Sequence, residues 1–139
     1  MIKTEHAHER TARCGCGKLA ATAHGEPTEV YVCSCADCQR KSGSAFTYAA
    51  IYPKSAVTIS GEHKSWRRHG DSGRFIESHF CPDCGGNVFF RAVEMSNWIG
   101  IAAGCFADQG FAGPARLFWA SRRHHWLDLA QSITRLETQ

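Results

Sequence analysis

Phe80-Cys81-Pro82-Asp83-Cys84-Gly85-Gly86 sets two thiols three residues apart and follows them with glycine, which is the pattern of half a tetrahedral zinc site. The other half stands far upstream, as Cys14-Gly15-Cys16-Gly17. Glycine directly after each pair lets the backbone take the tight, partly left-handed turn that aims peptide N–H groups at thiolate sulfurs. Two such pairs complete one four-thiolate site. Because 64 residues separate Cys16 from Cys81, the chain between them must loop out and return, so zinc would clamp the two ends of a sheet system together and contribute to folding. Loss of Cys81 or Cys84 is expected to leave a molten or insoluble chain.

Between the pairs lies a denser cluster, Cys33-Ser34-Cys35-Ala36-Asp37-Cys38, which offers three soft ligands and no obvious fourth. Structural zinc sites are closed by four protein ligands, whereas catalytic ones keep three and leave the last position to water or substrate. The eighth cysteine, Cys105, sits among small and apolar residues in Ala103-Gly104-Cys105-Phe106 and reads as a small buried hydrophobe.

With 139 residues, 43% of them hydrophobic, one core is enough. The formal charge of +3 is mild and basic residues form only short groups such as Arg67-Arg68 and Arg122-Arg123, so composition makes no case for nucleic acid. The start, Met1-Ile2-Lys3-Thr4-Glu5-His6-Ala7-His8, has no apolar h-region, and no stretch approaches the ~18 apolar residues that cross a bilayer. The expectation is a cytoplasmic protein, off the membrane, whose cysteines bind metal in a reducing compartment rather than form a disulfide framework.

Short aromatic and β-branched runs punctuated by glycine and proline predict strands and little helix. Lys18–His24, Val30–Val32, Phe46–Tyr52, Val57–Ile59, Lys64–His69, Arg74–Phe80, Asn87–Phe90, Trp98–Ile101 and Leu117–Trp119 read this way, as a sandwich or barrel-like pair of sheets. Gly70-Asp71-Ser72-Gly73 is a hairpin signal. Asp37–Ser42 predicts one or two helical turns ended by Gly43 as a left-handed cap. The expected organisation is a loose N-terminal arm over 1–12, one zinc-binding domain over 13–130 and a C-terminal tail over 131–139.

Cys14-Gly15-Cys16-Gly17, then Cys33-Ser34-Cys35-Ala36-Asp37-Cys38-Gln39-Arg40-Lys41-Ser42-Gly43-Ser44-Ala45-Phe46, then Phe80 to Gly86, in that order, resemble the glutathione-dependent formaldehyde-activating enzyme family, whose relatives include centromere protein V. The resemblance runs from about Cys14 to Trp126 and implies an Mss4-like fold, mainly β, of zinc-ribbon-related packed antiparallel sheets. It implies two zinc ions per chain: a structural one on Cys14, Cys16, Cys81 and Cys84, and a second, more labile one on Cys33, Cys35 and Cys38 at the active site. The reaction it implies joins formaldehyde to glutathione, formally a carbon–sulfur lyase run backwards, in a monomer or homodimer.

Three thiolates on zinc carry about one net negative charge, so Arg40 and Lys41 are candidates to offset it and to hold a carboxylate of the thiol substrate. The chain departs from the family pattern near its end, where Arg116-Leu117-Phe118-Trp119 and His124-His125-Trp126 replace the usual histidine and proline–tryptophan positions. Side chains of His124 and His125 would point to opposite faces of a strand, so at most one could enter a site. Trp66, Trp98, Trp119 and Trp126 read as core, and His63, His69 and His79 as structural. Two other readings stand beside the enzyme: a non-catalytic binding module stabilised by zinc, and a redox-active thiol cluster in which Cys35 and Cys38 pair when zinc leaves.

Overall fold

Residues 9–69 and 73–139 are described by the computed structural model, and they form two sheets. The smaller is antiparallel, with β2 (Ala20–His24) between β1 (Glu9–Arg13) and β5 (Val57–Ser60). The larger contains β3 (Glu29–Cys33), β4 (Thr47–Pro53), β6 (Lys64–His69), β7 (Phe75–Phe80), β8 (Asn87–Ala92), β9 (Trp98–Ala102), β10 (Arg116–Phe118) and β11 (Thr134–Arg135). Its order is β11-β10-β3-β4-β9-β8-β7-β6, antiparallel except that β10 runs parallel to both β3 and β11. The mainly β architecture agrees with the pattern of short strands.

Small residues on β1 and β2 let the two sheets close together. Ala12, Leu19, Ala21 and Ala23 meet Tyr52, Val88, Phe89 and Ile101 of the large sheet in one buried cluster. Close approach also fixes Gly61, at φ 99°, where a Cβ would overlap the Lys18 carbonyl oxygen.

The one α-helix among the described residues, α1 (Ala36–Ser42), starts directly from the trio. Cys35 caps it, its Sγ accepting from the Cys38 N–H at 3.3 Å, and Gly43 ends it at φ 64°. The sulfur that opens the helix is thus also a candidate ligand.

Order begins earlier than the cysteines suggest. Residues 9–12, expected in a loose arm, belong to β1, and the rest of that arm, 1–8, lies outside the described residues. The expected tail is also tied down: β11 pairs with β10, Ala120 N–H donates to Leu136 O at 2.8 Å, and Leu136 N–H donates to Leu117 O at 2.9 Å. The hairpin signal falls partly on residues 70–72, outside the described residues, while β6 and β7 pair antiparallel from His69↔Phe75 onward.

Candidate metal centres and the adjoining cavity

The turn after β1 and the turn after β7 bring Cys14, Cys16, Cys81 and Cys84 together, with all four sulfurs within 4.8 Å of one another. Gly17 and Gly85 stand at φ 82° and 78°, and their N–H groups donate to the Cys14 and Cys81 carbonyls at 3.0 and 2.9 Å. The turns then present further donors to sulfur: Leu19 N–H to Cys14 Sγ and Asp83 N–H to Cys81 Sγ, each at 3.3 Å. The Leu19 donor and the neighbouring thiols push the Cys14 pKa down to about 6. Four converging thiols, supported by backbone donors, are a donor set that fits a closed tetrahedral metal site.

The trio forms at the end of β3. Cys33, Cys35 and Cys38 also lie within 4.8 Å of one another, all buried, and no fourth Cys, His, Asp or Glu joins them among the described residues. Cys105 is not a member; its thiol donates to the Asn87 carbonyl at 3.2 Å, and it packs against the main core. Within the trio the negative charge settles on Cys38, whose pKa is lowered by hydrogen bonds from the Cys33 and Cys35 thiols. The same pairing, with burial, raises Cys33.

A cavity of about 250 Å³ opens beside these sulfurs. Tyr31 and Phe118, whose rings meet edge-on at 5.2 Å, wall one side, and Phe90, Trp98 and Trp119 wall others. Among the described residues three cations line it, Lys41, Arg68 and the exposed Arg74. Lys41 sits 4.2 Å above the Phe90 ring centroid, and burial lowers its pKa against the thiolates that favour its charge. Arg68, 11% exposed, donates from Nη1 to Asp37 Oδ2 on α1 at 3.1 Å, while its buried Nε has no partner among the described residues. Burial and the nearby thiolates raise the Tyr31 phenol, which therefore stays protonated.

The remaining sequence candidates fall elsewhere. Arg40 is 80% exposed, pairs weakly with Asp37 at 4.0 Å and does not line the cavity; Arg68 supplies the inward guanidinium instead. Sequence reading missed Arg68 because it lies 31 residues from Asp37 and only the fold joins them. Arg116 pairs with Glu29 at 3.1 Å at the cavity wall. His124 and His125 are exposed and outside the cavity. The tryptophans are not core: Trp66 and Trp126 are exposed, and Trp98 and Trp119 line the cavity. His79 is buried, stacked on Phe89 at 4.4 Å and bonded to Glu77 at 2.9 Å, as a structural histidine would be.

A mainly β scaffold that gathers one set of four thiols and one set of three defines a protein with two cysteine-based candidate metal centres, one closed and one open. The model of the family described as glutathione-dependent formaldehyde-activating enzyme matches residues 9–122, and the chain belongs to that family. A curated relative from Penicillium rubens, named "Putative glutathione-dependent formaldehyde-activating enzyme", is 28% identical over 91 residues, covering 64% of this chain. The chain spans about half the length of that relative, of which 47% is covered. A Rhodobacter sphaeroides protein of known crystal structure shares the fold, with a TM-score of 0.53 and 17% identity over 73% of this chain and 90% of that one. No helix among the described residues is long and apolar enough to cross a membrane.

Proposed function

We propose that the protein is a zinc-dependent carbon–sulfur lyase of the family's type, which joins a small aldehyde such as formaldehyde to a thiol, glutathione being favoured, and runs the reverse cleavage. The observation that carries this reading is the convergence of Cys33, Cys35 and Cys38 beside a cavity, with no fourth protein ligand among the described residues. Zinc held by Cys33, Cys35 and Cys38 would supply a Lewis acid with one open position, chemistry that favours the thiolate form of a neighbouring thiol.

The chain's own residues account for the rest. Lys41 and Arg68 bring positive charge to a site that becomes more negative as a thiolate enters, and the unpartnered Arg68 Nε can donate to a substrate carboxylate. The rings of Tyr31, Phe90 and Phe118 keep water from competing for the aldehyde. In the addition a sulfur–carbon bond forms, the carbonyl π bond opens, and the thiol proton ends on the former carbonyl oxygen. Nothing is oxidised or reduced.

Native metal analysis tests this. Two zinc ions per chain, one readily chelated, together with thiol-dependent consumption of formaldehyde that stops when that ion is removed, is the expected result. One zinc per chain with the trio titrating as free thiols, and no adduct formed, would overturn it in favour of a zinc-stabilised binding module.

A further inference from the structure

We infer that the thiol substrate extends past the trio cavity into a second, larger cavity, which binds one peptide arm of the molecule; this rests on the thiol reading above. The trio cavity, at about 250 Å³, is smaller than the ~300–1,000 Å³ usual for small-molecule sites. A peptide thiol with an arm on each side of its sulfur-bearing residue needs more room. A cavity of about 490 Å³ lies next to it, bounded by the end of α1 and by Gly85 and Gly86 after the four-cysteine turn. Lys41, Thr47 and Phe90 line both cavities.

Phe90 is the partition between them. Its ring lies over Gly100 of β9, where any Cβ would overlap it, and the Lys41 ammonium rests on the ring face. Ser78, opposite Phe90 on β7, marks the second cavity as a binding site. It is 4% exposed, its Oγ is buried without a partner among the described residues, and it lines this space. A buried hydroxyl is costly to leave unpaired, and an amide of a peptide arm would satisfy it. Cys105, which also lines the cavity, already donates to Asn87 O, so this compartment binds rather than reacts. Lys41, at the junction, is the only charged side chain of its lining among the described residues and suits a carboxylate or a polarised carbonyl there. The ligand class is therefore an amide-bearing arm of a peptide thiol that carries at most one carboxylate, answered by Lys41.

Gly104 gives the test, because it lines the second cavity and a Cβ there meets nothing within 4 Å. The zinc-loaded protein and its Gly104→Phe and Ser78→Ala variants are titrated calorimetrically with glutathione and with cysteine, which has no arms. Gly104→Phe is expected to weaken glutathione at least tenfold and Ser78→Ala about threefold, with cysteine affinity unchanged in both. Ser78→Ala removes one hydroxyl and no packing, so it reads the subsite even if the larger substitution disturbs folding. Equal glutathione affinity in the wild type and in both variants, with cysteine still bound, overturns the second subsite and leaves the thiol reading standing. Failure of the wild type to bind either thiol overturns the thiol reading and this inference with it.

Discussion

Replacing Cys16 and Cys84 together by serine isolates what the four-thiol centre does for stability. Both side chains are exposed, so the double variant leaves no core cavity, unlike any change at buried Cys14 or Cys81. It leaves Cys14 and Cys81, one thiol on each side of the returning loop, too few to hold zinc. The loop between Cys16 and Cys81 contains 64 residues. Closing a loop of that length removes about 4 kcal/mol of chain entropy from the unfolded ensemble, and this stabilisation vanishes with the metal. For a chain of this length the unfolding entropy is on the order of 0.3 kcal/mol per degree, so this loss alone lowers Tm by about 14 °C, the lower bound of an effect that reaches a molten chain where the lost coordination energy exceeds the remaining stability. Lost coordination energy adds to it. Scanning calorimetry of zinc-saturated wild type and double variant checks the value, and a strong zinc chelator should bring the wild type down to the variant. A double variant melting within about 3 °C of the wild type, with a cooperative transition, would refute the clamp.

Other expectations follow from single contacts. Glu77, hydrogen-bonded by Arg91 and by His79, has its pKa lowered to about 2. A depressed folded pKa stabilises above the unfolded value near 4.5 and is lost as pH falls toward 2, so the Tm advantage of wild type over Glu77→Gln should be full at pH 6 and shrink below pH 4.5; an advantage independent of pH would contradict the pairing. Ile101→Ala, at a fully buried position of the main core, should cost about 2–5 kcal/mol by urea denaturation. Gly61→Ala forces a Cβ onto the Lys18 carbonyl at a left-handed φ, and a Tm unchanged from wild type would disprove the close approach of the turn after β5 to the residues leading into β2. Arg68→Gln should raise KM for glutathione about tenfold with little change in kcat, as the loss of a contact made equally in ground and transition states.

The two cysteine sets were legible because cysteine spacing, with a following glycine at each pair of the four-thiol set, encodes them locally. Gly17, Gly43 and Gly85 all take the left-handed conformations that their places in the sequence suggest. What escaped the sequence depends on distant pairing. β1 has little apolar signature, since Glu9, Arg10 and Arg13 are charged and only Ala12 is fully buried, and it becomes a strand because β2 lies beside it. β11, two residues long, exists through parallel pairing with β10. The cavity wall collects Tyr31, Phe90, Trp98 and Phe118 from four strands, so no local window could tell Trp98 from a core residue. Nearness in sequence points to Arg40 and Lys41; α1 carries Lys41 to the cavity and turns Arg40 to solvent, and the sheet brings Arg68 inward in its place.

The order of the large sheet leaves two outer strands, β11 and β6. An outer strand offers unpaired backbone groups on which another chain can template itself. β11 offers only two residues, and β6, Lys64-Ser65-Trp66-Arg67-Arg68-His69, brings three cations whose repulsion disfavours a second β6 alongside. For a protein with eight unpaired thiols this matters beyond solubility, because chains stacked edge to edge would also be chains positioned to cross-link on oxidation.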